Sequence, residues 1–182
     1  PFTRYIDGGI ASPDTTINYS PGSLIKNYQG FEPRLSMRWM LPDKSSIKAG
    51  YAYNYQYVHL TSLSAVSLPT DIWFPSTDKA KPQTGWQGSV GYFKNFDDDK
   101  WETSVEIYYK GMNNLIEYKE GALPGDNIND NTDNLLVYGK GWAYGIEFFV
   151  KRTVGKFTGW IGYTWSKTER KFPDLNEGNI FP

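Results

Sequence analysis

Hydrophobic and polar positions alternate strictly through residues 46–60, SIKAGYAYNYQYVHL. Ile47, Ala49, Tyr51, Tyr53, Tyr55 and Tyr57 share one phase, with Lys48, Gly50, Ala52, Asn54 and Gln56 between them. Period two is the spacing of a strand with one apolar face. Five further segments repeat it. Residues 31–41 set Phe31, Leu35, Met37, Trp39 and Leu41 against Glu32, Arg34, Ser36 and Arg38. Trp86, Val90, Tyr92 and Phe96 alternate with Gln87, Ser89 and Asn95, and Trp101, Val105, Ile107 and Tyr109 with Glu102, Ser104, Glu106 and Lys110. Trp142, Tyr144, Ile146, Phe148 and Val150 oppose Glu147 and Lys151; Phe157, Ile161, Tyr163 and Trp165 oppose Thr158, Gly162, Thr164 and Ser166. Four residues break the phase: Phe93, Phe149 and Trp160 are aromatics among polar positions, and Lys94 is a charge among apolar ones.

The pattern predicts strands near residues 31–41, 46–57, 86–96, 101–110, 141–151 and 157–166, with residues 1–30 as a loop on the extracellular side. NNLIEYKEG and NLLVYGKG are expected to prolong the fourth and fifth strands as a protruding hairpin. Tilted strands of ~9–11 residues cross a bilayer, whereas soluble strands average ~5–6. Connections alternate between short (PDKS, DDD, RTVGK) and long (58–85, 110–141 and the segment after 166). Short turns on one side and long loops on the other are the habit of outer-membrane barrels. Trp39, Phe96, Trp101 and Phe157 fall near the short turns, and Tyr57, Trp86, Tyr109, Trp142 and Trp165 near the long loops. Two such belts match the interfacial girdles of a membrane barrel, where a ring is buried in apolar surroundings and its polar tip stays wet. The expected fold is all-β, an antiparallel up-and-down meander forming part of a transmembrane β-barrel. The alternative is a soluble β-sandwich. Arg34, Arg38, Glu102, Glu106 and Glu147 argue against it, because unpaired ions are costly in a packed interior.

Composition removes other classes. The 182-residue chain has a net charge of −1, 17% aromatics, a mean hydropathy of −0.57 and no cysteine. No basic patch recommends nucleic acid as a partner. Disulfides and thiol chemistry are excluded, and no apolar run reaches the ~18 residues of a transmembrane helix. His59 is the only histidine; with no GxSxG elbow and no complete phosphate loop, no catalytic constellation emerges. The chain is therefore expected not to be an enzyme, with no catalytic residues, no metal ligands and no cofactor. DNINDNTDN at 126–134 is rich in oxygen ligands but lacks the glycine and closing glutamate of an EF-hand. Asp71, Trp73 and Phe74, within SLPTDIWFPSTD, place two aromatics beside a carboxylate in a long loop and are the candidate ligand-binding residues; the alternative is that the aromatics pack the loop against its neighbours or the barrel wall. The ending DLNEGNIFP reads as the interior of a loop, so the chain is expected to be a fragment.

FEPRLSMRWML, IKAGYAYNYQYVHL, SLPTDIWFPSTDKAKPQ and GWAYGIEFFVKRTVGKFTGWIGYTWSKTER, followed by FPDLNEGNIFP, resemble in order and spacing the barrel of TonB-dependent outer-membrane receptors of the Bacteroidetes type. The resemblance covers residues 28–182. It implies a barrel of ~22 strands around an N-terminal plug, importing a scarce nutrient: a metal chelate, cobalamin, a glycan or a peptide. Its implied partners are outer-membrane lipid, the nutrient, and the TonB complex, reached through N-terminal regions that have no counterpart here. The competing function is a secreted, aromatic-rich carbohydrate-binding module. Standing alone, six strands leave two open edges, and the isolated fragment is expected to self-associate.

Overall fold

The computed structural model describes residues 2–5, 24–61, 72–121 and 135–182. Eleven strands are present among them: β1 (Phe2–Tyr5), β2 (Leu24–Tyr28), β3 (Arg34–Leu41), β4 (Ser45–Gln56), β5 (Val58–Thr61), β6 (Ile72–Pro75), β7 (Gln83–Phe96), β8 (Trp101–Tyr118), β9 (Leu136–Arg152), β10 (Gly159–Lys171) and β11 (Ile180–Phe181). Seven form one antiparallel sheet in the order β11-β10-β9-β8-β7-β4-β3, and β1–β2 and β5–β6 are separate two-stranded ladders. The main sheet is an up-and-down meander with no crossover, as the alternation predicts.

Element boundaries differ from the sequence reading in ways that have local causes. Residues 1–30, expected as loop, contain the β1–β2 ladder, with Phe2 opposite Tyr28. The long connection after β4 contains the β5–β6 ladder, in which His59 pairs with Phe74 and Leu60 with Trp73. β3 begins at Arg34 rather than at Phe31, because Pro33 has no N–H to give the ladder; its carbonyl still accepts from Tyr53 N at 3.0 Å. β8 runs 18 residues through an irregularity between Asn113 and Leu115. There Asn114 adopts φ 54°, a left-handed backbone that asparagine tolerates.

The short turns cluster at one end of the sheet. Asp43 and Lys44 (φ 62° and 55°) and Asp97, Asp98 and Asp99 (φ 49°, 51° and 65°) all take left-handed conformations, for which Asp is among the better non-glycine residues. Hydrogen bonds tie the turns together: Asn95 N donates to Lys44 O at 3.1 Å, and Thr153 N to Lys100 O at 2.9 Å. At the other end, β8 and β9 continue past the sheet as a long hairpin. A small cluster covers it, in which Ala80, Tyr118 and Leu136 are buried and Ile116, Leu135 and Tyr138 pack against them.

No second sheet packs on the meander among the described residues, and its apolar face stays open: Ile107 is 55% exposed and Ile161 77%. This overturns the sandwich alternative, which requires two inner faces in contact. The chain presents 12457 Å² of accessible surface. A compact monomer of its 20.8 kDa would present about 8900 Å².

Candidate functional site

Register converts the sequence phases into two faces. On one face Trp39, Ile47, Tyr92, Val105, Phe148 and Tyr163 form a continuous cross-strand row, and Met37, Ala49, Val90, Ile107, Ile146 and Trp165 form the next. Toward the long-loop end the rings of Tyr51, Trp86, Tyr109 and Tyr144 stand in sequence and lead on to Trp165, with neighbouring centroids 5.4 to 6.5 Å apart. Cross-strand aromatic neighbours at such distances attract one another beyond their buried area. Gly111 belongs to this belt because the Trp86 indole lies across it, in the space a Cβ would need.

The opposite face is charged. Arg38 pairs in register with Lys48, Lys48 with Gly91, Gly91 with Glu106 and Glu106 with Glu147. Basic groups therefore sit on β3–β4 and acidic groups on β8–β9 along one row. The three misplaced aromatics gather here. Phe93 and Phe149 share a row with Met40, Phe149 stacks on Trp160 at 6.1 Å, and Lys48 Nζ lies 3.8 Å from the centre of the Phe93 ring. They compose one apolar patch at the short-turn end of a polar face. Lys151 and Glu102 flank it as an ion pair of 3.3 Å.

Of the residues expected to bind ligand, Trp73 projects from β6 and is 66% exposed. Phe74 follows it in the strand, Asp71 lies outside the described residues, and so does the Asn/Asp-rich stretch at 126–134. His59 is fully buried beneath the same hairpin, its Nε2 2.9 Å from Ser76 Oγ; Ser76 Oγ donates onward to Tyr57 O at 3.1 Å. Burial pushes the imidazole below its ordinary pKa of 6.5, so it is neutral at pH 7. The β5–β6 hairpin is thus anchored on one face and presents Val58, Leu60 and Trp73 on the other. Sequence reasoning missed the role of His59 as an anchor, since a single histidine after a strand carries no signal of burial. Among the described residues no group of three or more His, Cys, Asp or Glu side chains is placed to hold a metal ion.

Comparison with known families decides what an open sheet with one aromatic and one charged face is part of. The model of the TonB dependent receptor-like β-barrel matches residues 4–182. The chain belongs to that family. No curated protein and no solved structure gives a significant match. Membership places this receptor segment in the outer membrane, in a family of receptors and transporters rather than enzymes. The aromatic face is then the lipid-facing one, because unpaired Arg38, Lys48, Glu106 and Glu147 are too costly in hydrocarbon. The charged face lines the interior of the receptor barrel.

The register also gives the inclination of the strands to the membrane. On β4 the outward apolar run Ile47–Tyr55 centres on Tyr51. Following the register from Tyr51 leads through Gly88, Tyr109 and Tyr144 to Lys167, four residues above Tyr163, the centre of the run Ile161–Trp165 on β10. Four residues are about 13 Å along a strand, and four strand spacings are about 19 Å across the sheet. The lipid band therefore slopes by about 34° relative to the strand normal, close to the ~35–45° tilt of membrane barrels. The tilt accounts for Lys94. It sits at the short-turn edge of the band on β7, five to six residues from the band's centre there, whereas Ile161, in the same row, belongs to the apolar run on β10 and is only two residues from its centre.

Proposed function

We propose that this segment serves a receptor of the Bacteroidetes type that imports one scarce nutrient (a metal chelate, cobalamin, a glycan or a peptide) with energy from the TonB complex. TonB would be engaged through regions outside this chain. The main sheet then supplies consecutive strands of a barrel of ~22, with residues 1–182 as one part of that barrel domain. The long-loop end forms part of its extracellular mouth, where Asp71, Trp73 and Phe74 contact the nutrient.

One observation carries the reading. At the long-loop end, the β5–β6 hairpin holds Trp73 exposed next to Leu60 on one face while buried His59 fixes the other. A large, rigid aromatic held outward costs little conformational entropy on binding and offers a flat apolar surface to a sugar ring, a corrin or a chelate. Growth of a strain lacking the intact receptor, on limiting amounts of each nutrient class, tests the transport reading. Failure on a single class, restored by the wild-type gene and not in a strain without TonB, is the expected result. Restoration of full growth at limiting nutrient by Trp73→Ala would remove Trp73 from the ligand site. Unimpaired growth of the deletion strain on every class would overturn the import reading.

A further inference from the structure

The outward face changes character abruptly above the aromatic belt. On β9 the outward residues run Tyr144, Trp142, Lys140, and on β10 Trp165, Lys167, Glu169, Lys171. Lys140 and Lys171 are direct cross-strand partners, and both are exposed. Like charges placed opposite one another in an antiparallel pair are destabilising.

Their neighbours do not relieve the repulsion. Along the row, Lys140 is flanked by Asn113 on β8 and Lys171 by Ile180 on β11, neither of them acidic. Glu169, the outward carboxylate next in line on β10, is already engaged: it accepts from Trp142 Nε1 at 2.8 Å and pairs with Lys167 at 2.7 Å. Arg170 points to the other face and pairs with Glu117 at 3.0 Å. Among the described residues Lys140 and Lys171 have no ion-pair partner.

Height decides what compensates them. Lys140 is two residues above Trp142, whose indole N–H marks the upper belt, and this is the long-loop, extracellular end of the sheet. In a membrane-embedded barrel that level is where headgroups of the outer leaflet lie, with their chains along the aromatic face below. We propose that Lys140 and Lys171 form a binding site for the phosphate of an anionic outer-leaflet lipid. The lysine pair takes the phosphate oxygens. The hydrocarbon chains run down past Trp142, Tyr144 and Trp165, and the engaged Glu169 sets the lower limit of the headgroup. The proposal rests on the family assignment and not on which nutrient the receptor carries.

The test uses the intact receptor, delipidated in a zwitterionic detergent and titrated with phosphatidylglycerol, lipid A or phosphatidylcholine, with bound lipid counted by native mass spectrometry. Wild type retains phosphatidylglycerol and lipid A at least tenfold more tightly than phosphatidylcholine. Lys140→Gln/Lys171→Gln lowers that preference on the order of tenfold or more. Lys110→Gln, on the opposite face, leaves it unchanged. Lys140→Glu adds a readout independent of lipid, because the new carboxylate faces Lys171: thermal stability in lipid-free detergent rises while anionic lipid is lost. Equal retention of phosphatidylcholine, or a double variant that binds as wild type does, overturns the site. Complete displacement of the lipid by equimolar inorganic phosphate overturns the assignment to lipid and makes it a site for a soluble anion.

Discussion

Lys44 Nζ lies 3.1 Å from Asp99 Oδ2, and through this contact the turn after β3 is joined to the turn after β7. The Asp99 carboxylate also accepts from Asn95 Nδ2 at 3.0 Å, and its carbonyl from Thr153 Oγ1 at 3.0 Å, so three short turns converge on one residue. The hydrogen bond from Asn95 and then that from Lys44 hold the Asp99 carboxyl below the usual aspartate range. Both charged groups lie in water, so the ion pair adds little energy and breaks with salt. Its use is positional: it keeps the periplasmic rim of the receptor in register.

The first prediction separates backbone from charge at this rim. Asp98 has φ 51° and its side chain is 96% exposed, so its backbone conformation is what a substitution disturbs. Asp98→Val places a β-branched residue in the left-handed region and is expected to destabilise the intact receptor by about 1–2 kcal/mol. Asp98→Gly relieves that steric cost and changes stability by less than about 1 kcal/mol. Denaturant titration of both variants in lipid vesicles checks this; equal losses would show that the turn is not held in the left-handed conformation.

The second prediction concerns the faces. Val90 and Ser89 are neighbours on β7, one in the lipid band and one on the barrel interior. Val90→Lys is expected to cost about 2–4 kcal/mol and Ser89→Lys close to nothing. The tilt adds a gradient along one row. Thr103→Lys, near the lower edge of the band on β8, is expected to cost less than Ile161→Lys on β10, although the two share a row. Reversal of that order would refute the inclination derived from the register.

The alternation made the sheet legible, because a strand buried on one face writes its period into the sequence. The sandwich stayed open as an alternative because period two reports that a face is apolar and not what touches it. Phe93, Phe149 and Trp160 broke the pattern when read singly; only the register shows that they meet in one patch. Lys94 needed the strand tilt, which is a property of several strands and has no signature in any one. The bulge at Asn114 and the ladders β1–β2 and β5–β6 escaped notice because short, irregular pairings repay backbone entropy through distant contacts, such as Tyr28 OH donating to Thr77 O at 2.7 Å.

Two glycines of the aromatic face provide a third prediction. A Cβ on Gly111 would collide with the Trp86 indole, a rigid ring with strand backbone beneath it, whereas a Cβ on Gly88 would meet nothing within 4 Å. Gly111→Ala is expected to cost about 1–3 kcal/mol by displacing Trp86 from the belt. Gly88→Ala is expected to be tolerated. Near-ultraviolet circular dichroism, which reports the stacked rings, should change for the first variant and not for the second.

His59 supplies a pH prediction. Its folded-state pKa lies below the ordinary 6.5 because burial disfavours the cation. The unfolded segment therefore binds the extra proton first as pH falls. The anchoring of β5–β6 is complete above about pH 6.5 and weakens progressively as pH drops from there toward the folded pKa. Hydrogen exchange of Val58–Thr61 should accelerate several-fold between pH 7.5 and 5.5, after correction for the intrinsic pH dependence. His59→Gln should remove the pH dependence. Protection that does not change with pH in wild type would mean that the imidazole is not what fastens the hairpin.

The last prediction concerns the 182-residue chain in isolation. β3 and β11 are the two ends of the seven-stranded order, and among the described residues each leaves one side of its backbone unpaired. In a bilayer every unsatisfied N–H and C=O costs several kcal/mol, so an open sheet does not insert as a monomer. In water the difficulty moves to the aromatic face, where Leu35, Met37, Trp39, Ile161 and Tyr163 are each more than half exposed. That contiguous surface exceeds the few hundred Å² a soluble monomer tolerates. Two copies can cover it by packing aromatic face against aromatic face, which would imitate a sandwich. Light scattering of the purified fragment in detergent-free buffer is expected to show dimers or larger species, and added detergent should dissociate them. A monodisperse monomer that unfolds cooperatively in plain buffer would mean that this face finds an intramolecular cover, and the lipid-facing assignment would fall with it.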